Sequence, residues 1–451
     1  MTGVGIFLAK PEIPLLEGEG VDNATEMNVK LAYGKQGLEI DLPDDADVTV
    51  VEPRYIEGPK NQAGAVRAAL RNPMGSPPLR ELVHSTDTVG IVFSDLTRPT
   101  PNHVMLPALL AELDAATVPH AQITLFNATG THRTNTEAEL RRMLGDTPVE
   151  RFRIVQNEAQ DKPSHTFVGT TRSGNEIWIN TEFVECDVRI LTGFIEPHFF
   201  AGFSGGGKAI MPGLALLETV MRNHGARNID HPQATWGMTK GNPIWEEIHA
   251  AALMVKPTFL LNVALNREKQ ITGVFAGDLD CAHAEGCAFV KDTAMSPVEH
   301  PFDIVITSNS GYPLDLNLYQ SVKGMSAAAQ IVKDGGSIMI AAECWDGIPD
   351  YGLYGRLLRE AESLDQLLAT IRRPGFMQGD MWQAQTQARI CQRADVYVYS
   401  DGLSDKLIQE AMLHSCRDIP AMVLNLLTRY GKNAKICVLP EGPQTIPYVK
   451  K

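Results

Sequence analysis

The run Gly193-Phe194-Ile195-Glu196-Pro197-His198-Phe199-Phe200-Ala201-Gly202-Phe203-Ser204-Gly205-Gly206-Gly207-Lys208 sets a histidine and a lysine on one glycine-lined loop. A desolvated lysine amine is a nucleophile, able to form a Schiff base or another covalent link. Glycines let backbone approach a ligand closely and adopt positive φ, so four of them before Lys208 suggest something flat or phosphorylated against the chain. Gly202 to Lys208 matches the spacing of a phosphate-cradling loop, but Ala209 stands where magnesium needs Ser or Thr. Pro197, His198 and two aromatics also intervene where a strand should run straight into the first glycine, which argues against a nucleotide triphosphatase. Taken alone, the loop reads as a glycine-rich turn with a solvent-facing lysine. Other residues decide otherwise.

Two more loops carry polar groups after apolar runs. Residues 89–93 read as a strand, 94–102 as a loop with Asp95, Thr97 and Arg98, and 104–113 as a helix. Residues 122–126 repeat the plan, with His132 and Arg133 on the loop and Thr136 capping a helix through 143. A third strand, 188–192, feeds the glycine-lined loop. Ligands of open α/β sheets gather beyond the carboxyl ends of strands, so the three loops are expected to face one crevice. His132 and His198 on separate strand-end loops are then candidate acid/base groups. His224, after a helix expected over 214–221, fits either a metal ligand or a helix C-terminal residue. Tyr319 and Lys323 share a helical face, with Gln320 beside Lys323. Arg98 and Lys323 could clamp a carboxylate between them.

The elements that position these residues form an α/β protein of two domains, each a mainly parallel, Rossmann-like sheet flanked by helices, with the active site in the interdomain cleft. At 451 residues one core is too few. The boundary falls near 295, giving units 1–294 and 295–451, with the C-terminal tail able to return to the first. Strands are expected at 304–307, 337–342, 396–400 and 436–439, and a helix over 318–332. A net charge of -14 excludes nucleic acid and anionic membranes as main partners. Seven scattered cysteines without a C-x-x-C pair indicate a reducing compartment and no thiolate zinc site. The apolar run at 4–9 is broken by Lys10 and Pro11, and no span suits a membrane helix, so the protein reads as cytoplasmic.

The chain resembles the nickel-pincer-nucleotide lactate racemase family. The matching residues are Ser94-Asp95-Leu96-Thr97-Arg98-Pro99, Gly130-Thr131-His132-Arg133, Glu196-Pro197-His198-Phe199-Phe200-Ala201-Gly202, Ser204-Gly205-Gly206-Gly207-Lys208, Asn223-His224 and Tyr319-Gln320 with Lys323. Tyr33-Gly34-Lys35 with Leu38, and Trp382, fit the same pattern, so the matches span most of the chain in order. The resemblance implies a pyridinium mononucleotide carrying nickel, joined as a thioamide to Lys208, with His224 as the protein ligand to the metal. It implies cofactor contacts from Asp95, Thr97, Gly205, Gly206 and Gly207, and two bases, His132 and His198, one for each enantiomer. It assigns the substrate carboxylate to Arg98, Gln320 and Lys323, and cleft lining to Tyr319 and Trp382. Asp95 is expected to orient Arg98 or the cofactor region. The implied reaction inverts C2 of a 2-hydroxy acid by hydride transfer to the cofactor through a 2-keto acid. Lactate, malate, aromatic hydroxy acids and sugar acids such as gluconate are all compatible substrates. Cofactor-synthesis and nickel-insertion proteins are the implied partners, and self-association is left open. Two rivals stand beside this reading: a pyridoxal-type racemase anchored on Lys208, and a non-catalytic small-anion-binding protein.

Overall fold

The computed structural model describes residues 26–349 and 352–450, so the apolar run at 4–9 lies outside the described residues. Along the chain, β1 (Glu26–Leu31) and β2 (Leu38–Pro43) form a hairpin and β3 (Asp47–Val50) follows. Next come β4 (Val89–Ser94), β5 (Ile123–Ala128), β6 (Arg153–Gln156), a hairpin of β7 (His165–Thr170) and β8 (Glu176–Asn180), and β9 (Val188–Phe194). The short pair β10 (Pro197–His198) and β11 (Gly202–Phe203) precedes β12 (Phe259–Leu265) and β13 (Ile271–Gly277). The remainder holds β14 (Met295–Val298), β15 (Phe302–Ser308), β16 (Val332–Ala341), β17 (Asp395–Tyr399), β18 (His414–Cys416), β19 (Lys435–Leu439) and β20 (Ile446–Val449).

Two six-stranded sheets organise the molecule, in the orders β13-β12-β9-β4-β5-β6 and β18-β17-β16-β15-β19-β3. All neighbours are parallel except β12 with β13. Parallel strands are buried on both faces, which is why β4 and β9 read as nearly unbroken apolar runs. In the first sheet the chain order reverses between β4 and β9, and in the second between β15 and β19. Such switch points open a crevice at the strand ends. The loops leaving β4, β9 and β15 are the ones that carry Arg98, Lys208 and the approach to Lys323.

The chain's N-terminal strands do not stay with the residues that follow them. β3 pairs with β19 at the edge of the second sheet, and Leu31, Tyr33, Ile40 and Leu42 pack with Ile304, Ile306, Val423 and Val438. Residues 26–50, expected in the first unit, thus complete the second. The C-terminal tail, left able to return to the first unit, ends in β20, which pairs in parallel with β14. The helix expected over 318–332 ends earlier, as Leu318–Ala328, and Val332 already belongs to β16. That helix lies hard against β15: a Cβ on Gly324 would stand 2.3 Å from the Ser308 carbonyl oxygen, so glycine there sets the approach. One apolar cluster runs from Phe199, Phe200 and Trp236 through to Val322, Met325 and Trp382, joining elements of both sheets.

Candidate active site

The candidate residues sit on loops after strands or on helix ends and first turns, and local sequence explains why. Asp95, Thr97 and Arg98 occupy the turn after β4, where the Arg98 N–H donates to the Asp95 carbonyl at 3.1 Å. His132 lies on the loop after β5, ahead of a helix started by a full capping box of Thr136 and Glu139. His198 lies on β10, and Lys208 on the single 3₁₀ turn Gly206–Ala209. His224 caps the helix Leu217–Asn223, its N–H donating to the Val220 carbonyl at 2.9 Å. Tyr319, Gln320 and Lys323 belong to the helix Leu318–Ala328, whose N-cap Asn317 accepts from the Gln320 N–H. Trp382 opens the helix Met381–Arg393.

Arg98, Lys208 and Lys323 converge from both sheets and form no ion pair with a carboxylate among the described residues. Burial, the Arg98 charge and the Lys323 charge lower the Lys208 amine to about 7, against a partial counter-effect from Glu196. Burial and Arg98 lower Lys323 to about 8. Burial, Lys208, Lys323, Arg98 and His224 together push His198 well below the usual histidine value, so its ring is neutral. His198 and Lys208 nonetheless keep some access to solvent. The result is an anion-seeking site with a neutral imidazole at its centre.

The two acid/base candidates are held differently. His132 Nδ1 meets Asp95 Oδ2 at 2.7 Å, and Thr97 Oγ1 donates to Asp95 Oδ1 at 2.8 Å. Burial pushes the Asp95 carboxyl up, but the hydrogen bond and charge of His132, then Arg98 and Thr97, outweigh it and hold Asp95 below its ordinary value. An ionised Asp95 fixes hydrogen on His132 Nδ1 and leaves Nε2 as a base. His198 instead accepts the Ala201 N–H at Nδ1, 3.2 Å away, which places its hydrogen on Nε2. As arranged, His198 presents a donor. The Asp95 side chain, expected to orient Arg98 or the cofactor region, bonds His132 and Thr97, and Arg98 joins it through Thr97 Oγ1 at 3.2 Å.

His224 is the residue most suited to a metal. Its ring is enclosed by Phe200 at 4.9 Å and Trp382 at 5.3 Å, and its buried Nδ1 has no hydrogen-bond partner. Burial and the Lys208 charge lower it to about 3, which keeps a lone pair free. An unpaired buried nitrogen costs about 1–3 kcal/mol, a cost that a bound metal would remove. No group of three or more His, Cys, Asp or Glu side chains suited to a metal occurs among the described residues. One protein ligand therefore suffices only if a cofactor supplies the others.

Trp382 Nε1–H donates to Tyr319 OH at 3.3 Å, closing the apolar side, whereas the Gln320 side chain bonds none of the cluster. The glycines serve the protein rather than open space. A Cβ on Gly205 would meet Asn262 Oδ1 at 2.5 Å, one on Gly206 the His283 ring at 2.7 Å, and one on Gly207 Ala252 at 3.1 Å. On their Cβ sides the three glycines face protein atoms. Asn262 and His283 went unnoticed in the sequence: Asn262 Oδ1 accepts the Gly206 N–H at 2.7 Å, and His283 Nε2 meets the Ser204 carbonyl at 3.0 Å. The available signal was an asparagine within the apolar run of β12. The Phe200 ring lies 5.8 Å from Lys208 Nζ.

The profile of the lactate racemase N-terminal domain matches residues 33–237, and that of the lactate racemase C-terminal domain matches 298–446. This chain belongs to the lactate racemase family. Membership makes it an isomerase. Lactate racemase of Thermoanaerobacterium thermosaccharolyticum is 36% identical over 423 residues, covering 93% of this chain and 99% of that protein. Lactate racemase of Lactiplantibacillus plantarum is 37% identical over 419 residues, covering 92% and 98%. The structure of the lactate racemase apoprotein from T. thermosaccharolyticum matches with a TM-score of 0.88 at 35% identity, over 94% of this chain and all of that one. A Thermotoga maritima protein matches with a TM-score of 0.65 at 19% identity, over 88% of this chain, a likeness of fold alone. No helix among the described residues is long and apolar enough to cross a membrane.

Proposed function

We propose that the chain inverts C2 of a 2-hydroxy acid, with lactate, named for its relatives, as the first substrate to try. The observation that carries this is the convergence of Arg98, Lys208 and Lys323, without an ion-paired carboxylate among the described residues, beside the neutral ring of His198. Lys208 is then the attachment point of a nickel-pincer nucleotide and His224 its metal ligand, which fits the unpartnered Nδ1 of His224. When bound, that group supplies a hydride acceptor. Arg98 and Lys323 grip the substrate carboxylate across the junction of two domains, the first bearing Lys208 and both histidines, the second closing over the substrate. His132 Nε2 takes the hydroxyl proton on one face, its tautomer set by Asp95. On the other face His198 does the same after its ring gives up the Ala201 N–H. Trp382 and Tyr319 keep water from the apolar side.

Production alongside a cofactor-synthesis and nickel-insertion system tests the reading. The expected result is a mass increment on Lys208, one nickel per chain, and loss of optical activity from L- or D-lactate or another 2-hydroxy acid. Replacing both His132 and His198 is expected to abolish turnover and retain nickel, whereas His224→Ala is expected to lose the metal. An unmodified Lys208 from a system that loads a known acceptor would overturn the proposal.

A further inference from the structure

We propose that Lys208, in the chain that carries no cofactor, traps 2-oxo acids as a Schiff base, with Arg98 and Lys323 holding the carboxylate. The inference goes beyond the proposed racemisation and rests on it only for the consequence drawn at the end. Three features of the site carry it. Lys208 has no acidic partner at ion-pair distance among the described residues, so nothing ties its nitrogen down. Two further cations from other elements, Arg98 and Lys323, act on it and form no ion pair among the described residues, so an anion entering here meets more than one positive charge. The aromatic ring of Phe200 lies 5.8 Å from Nζ, and Lys208 is not fully buried. Lowering of the amine to about 7 adds support, because a large share of it is then the neutral nucleophile at neutral pH.

The chemistry needs no oxidant or reductant. The Nζ lone pair attacks the keto carbon, the N–C bond forms and the carbonyl π pair moves to oxygen. The carbinolamine then loses its hydroxyl as water, with a proton supplied by solvent, and nitrogen sheds a proton as C=N forms. His198 Nε2–H can hydrogen-bond the departing oxygen. Since the same nitrogen would carry the cofactor, a bound 2-oxo acid delays cofactor attachment, and the keto form of the enzyme's own substrate restrains its activation.

The test uses the full chain made without cofactor-synthesis proteins, incubated with pyruvate and cyanoborohydride, and read by peptide mass. One carboxyethyl group on Lys208 is expected, formed at least about tenfold faster than on any exposed lysine, whose ordinary pKa near 10.4 leaves it protonated at pH 7. Lys323→Met is expected to slow that labelling severalfold with an unchanged melting temperature, and acetone, lacking the carboxylate, is expected to label Lys208 severalfold more slowly than pyruvate does. Labelling spread over surface lysines, or a Lys208 that takes acetone as readily as pyruvate, would overturn the inference. A chain that accepts the cofactor but never traps pyruvate defeats this inference alone. One that traps pyruvate but is not loaded defeats the nickel reading alone.

Discussion

Asp95 and His132 form the best-defined polar pair of the site, and the consequence is a single tautomer. A buried carboxylate receiving a histidine Nδ1–H leaves Nε2 as the proton acceptor, and neutralising the carboxylate removes that preference. Asp95→Asn is therefore expected to lower kcat by roughly 10²-fold, the scale of a lost general base. Lys208 modification and nickel content should be retained. For enantiomeric substrates of equal free energy, kcat/KM must fall alike in both directions, and a polarimetric assay started from each enantiomer checks this. Unchanged turnover would remove His132 from the mechanism. These residues were legible because their types are rare and placed after apolar runs, whereas the partners of the loop were not. Asn262 is distant in sequence from the Gly206 N–H it caps, and nothing in a single chain links positions that only the fold brings together.

At the scale of elements, the turn that presents Lys208 is held from three sides: by the capping of the Gly206 N–H, by the His283 ring and by its own left-handed backbone, φ 74° at Gly205 and 53° at Gly206. A side chain at Gly206 costs about 1–2 kcal/mol for that φ. It also meets the His283 ring at 2.7 Å. Gly206→Ala is expected to lower both unfolding stability in urea and the fraction of chains modified at Lys208. Thr136→Ala, which removes a helix cap on another loop, should cost about 1 kcal/mol and leave modification intact. Equal modification in the two variants would mean the turn does not position Lys208. Local patterns served well for β4, β5, β9 and β15, where apolar runs end in polar loops. They failed after Ala328, because Ile331 and Val332 continue the apolar spacing of the helix while the chain has already turned towards β16. Hydrophobic period alone cannot separate a helix from the buried strand that succeeds it.

For the whole molecule, the placement of residues 26–50 matters more than any boundary near 295. Strand propensity announces that β1, β2 and β3 exist, but not which sheet they join, since pairing between β3 and β19 is a contact across nearly the whole chain. The second sheet is thus completed by the first residues described, and its helical face reaches Arg98 and Lys208 through the helix bearing Lys323. Residues 26–50 therefore draw their stability from the second half. Leu31 is fully buried among Ile304, Ile306 and Val438, so Leu31→Ala leaves a cavity in the second sheet's core and is expected to cost about 2–5 kcal/mol. Hydrogen exchange discriminates where that cost falls. Amides of β15, β16 and β19 should exchange faster in the variant while those of β4 and β5 hold their protection, because local openings follow the packing unit rather than the sequence neighbour. Loss of protection in β4 and β5 instead would mean that residues 26–50 fold with the segment that follows them, and the exchange of strands between halves would not be a stability unit.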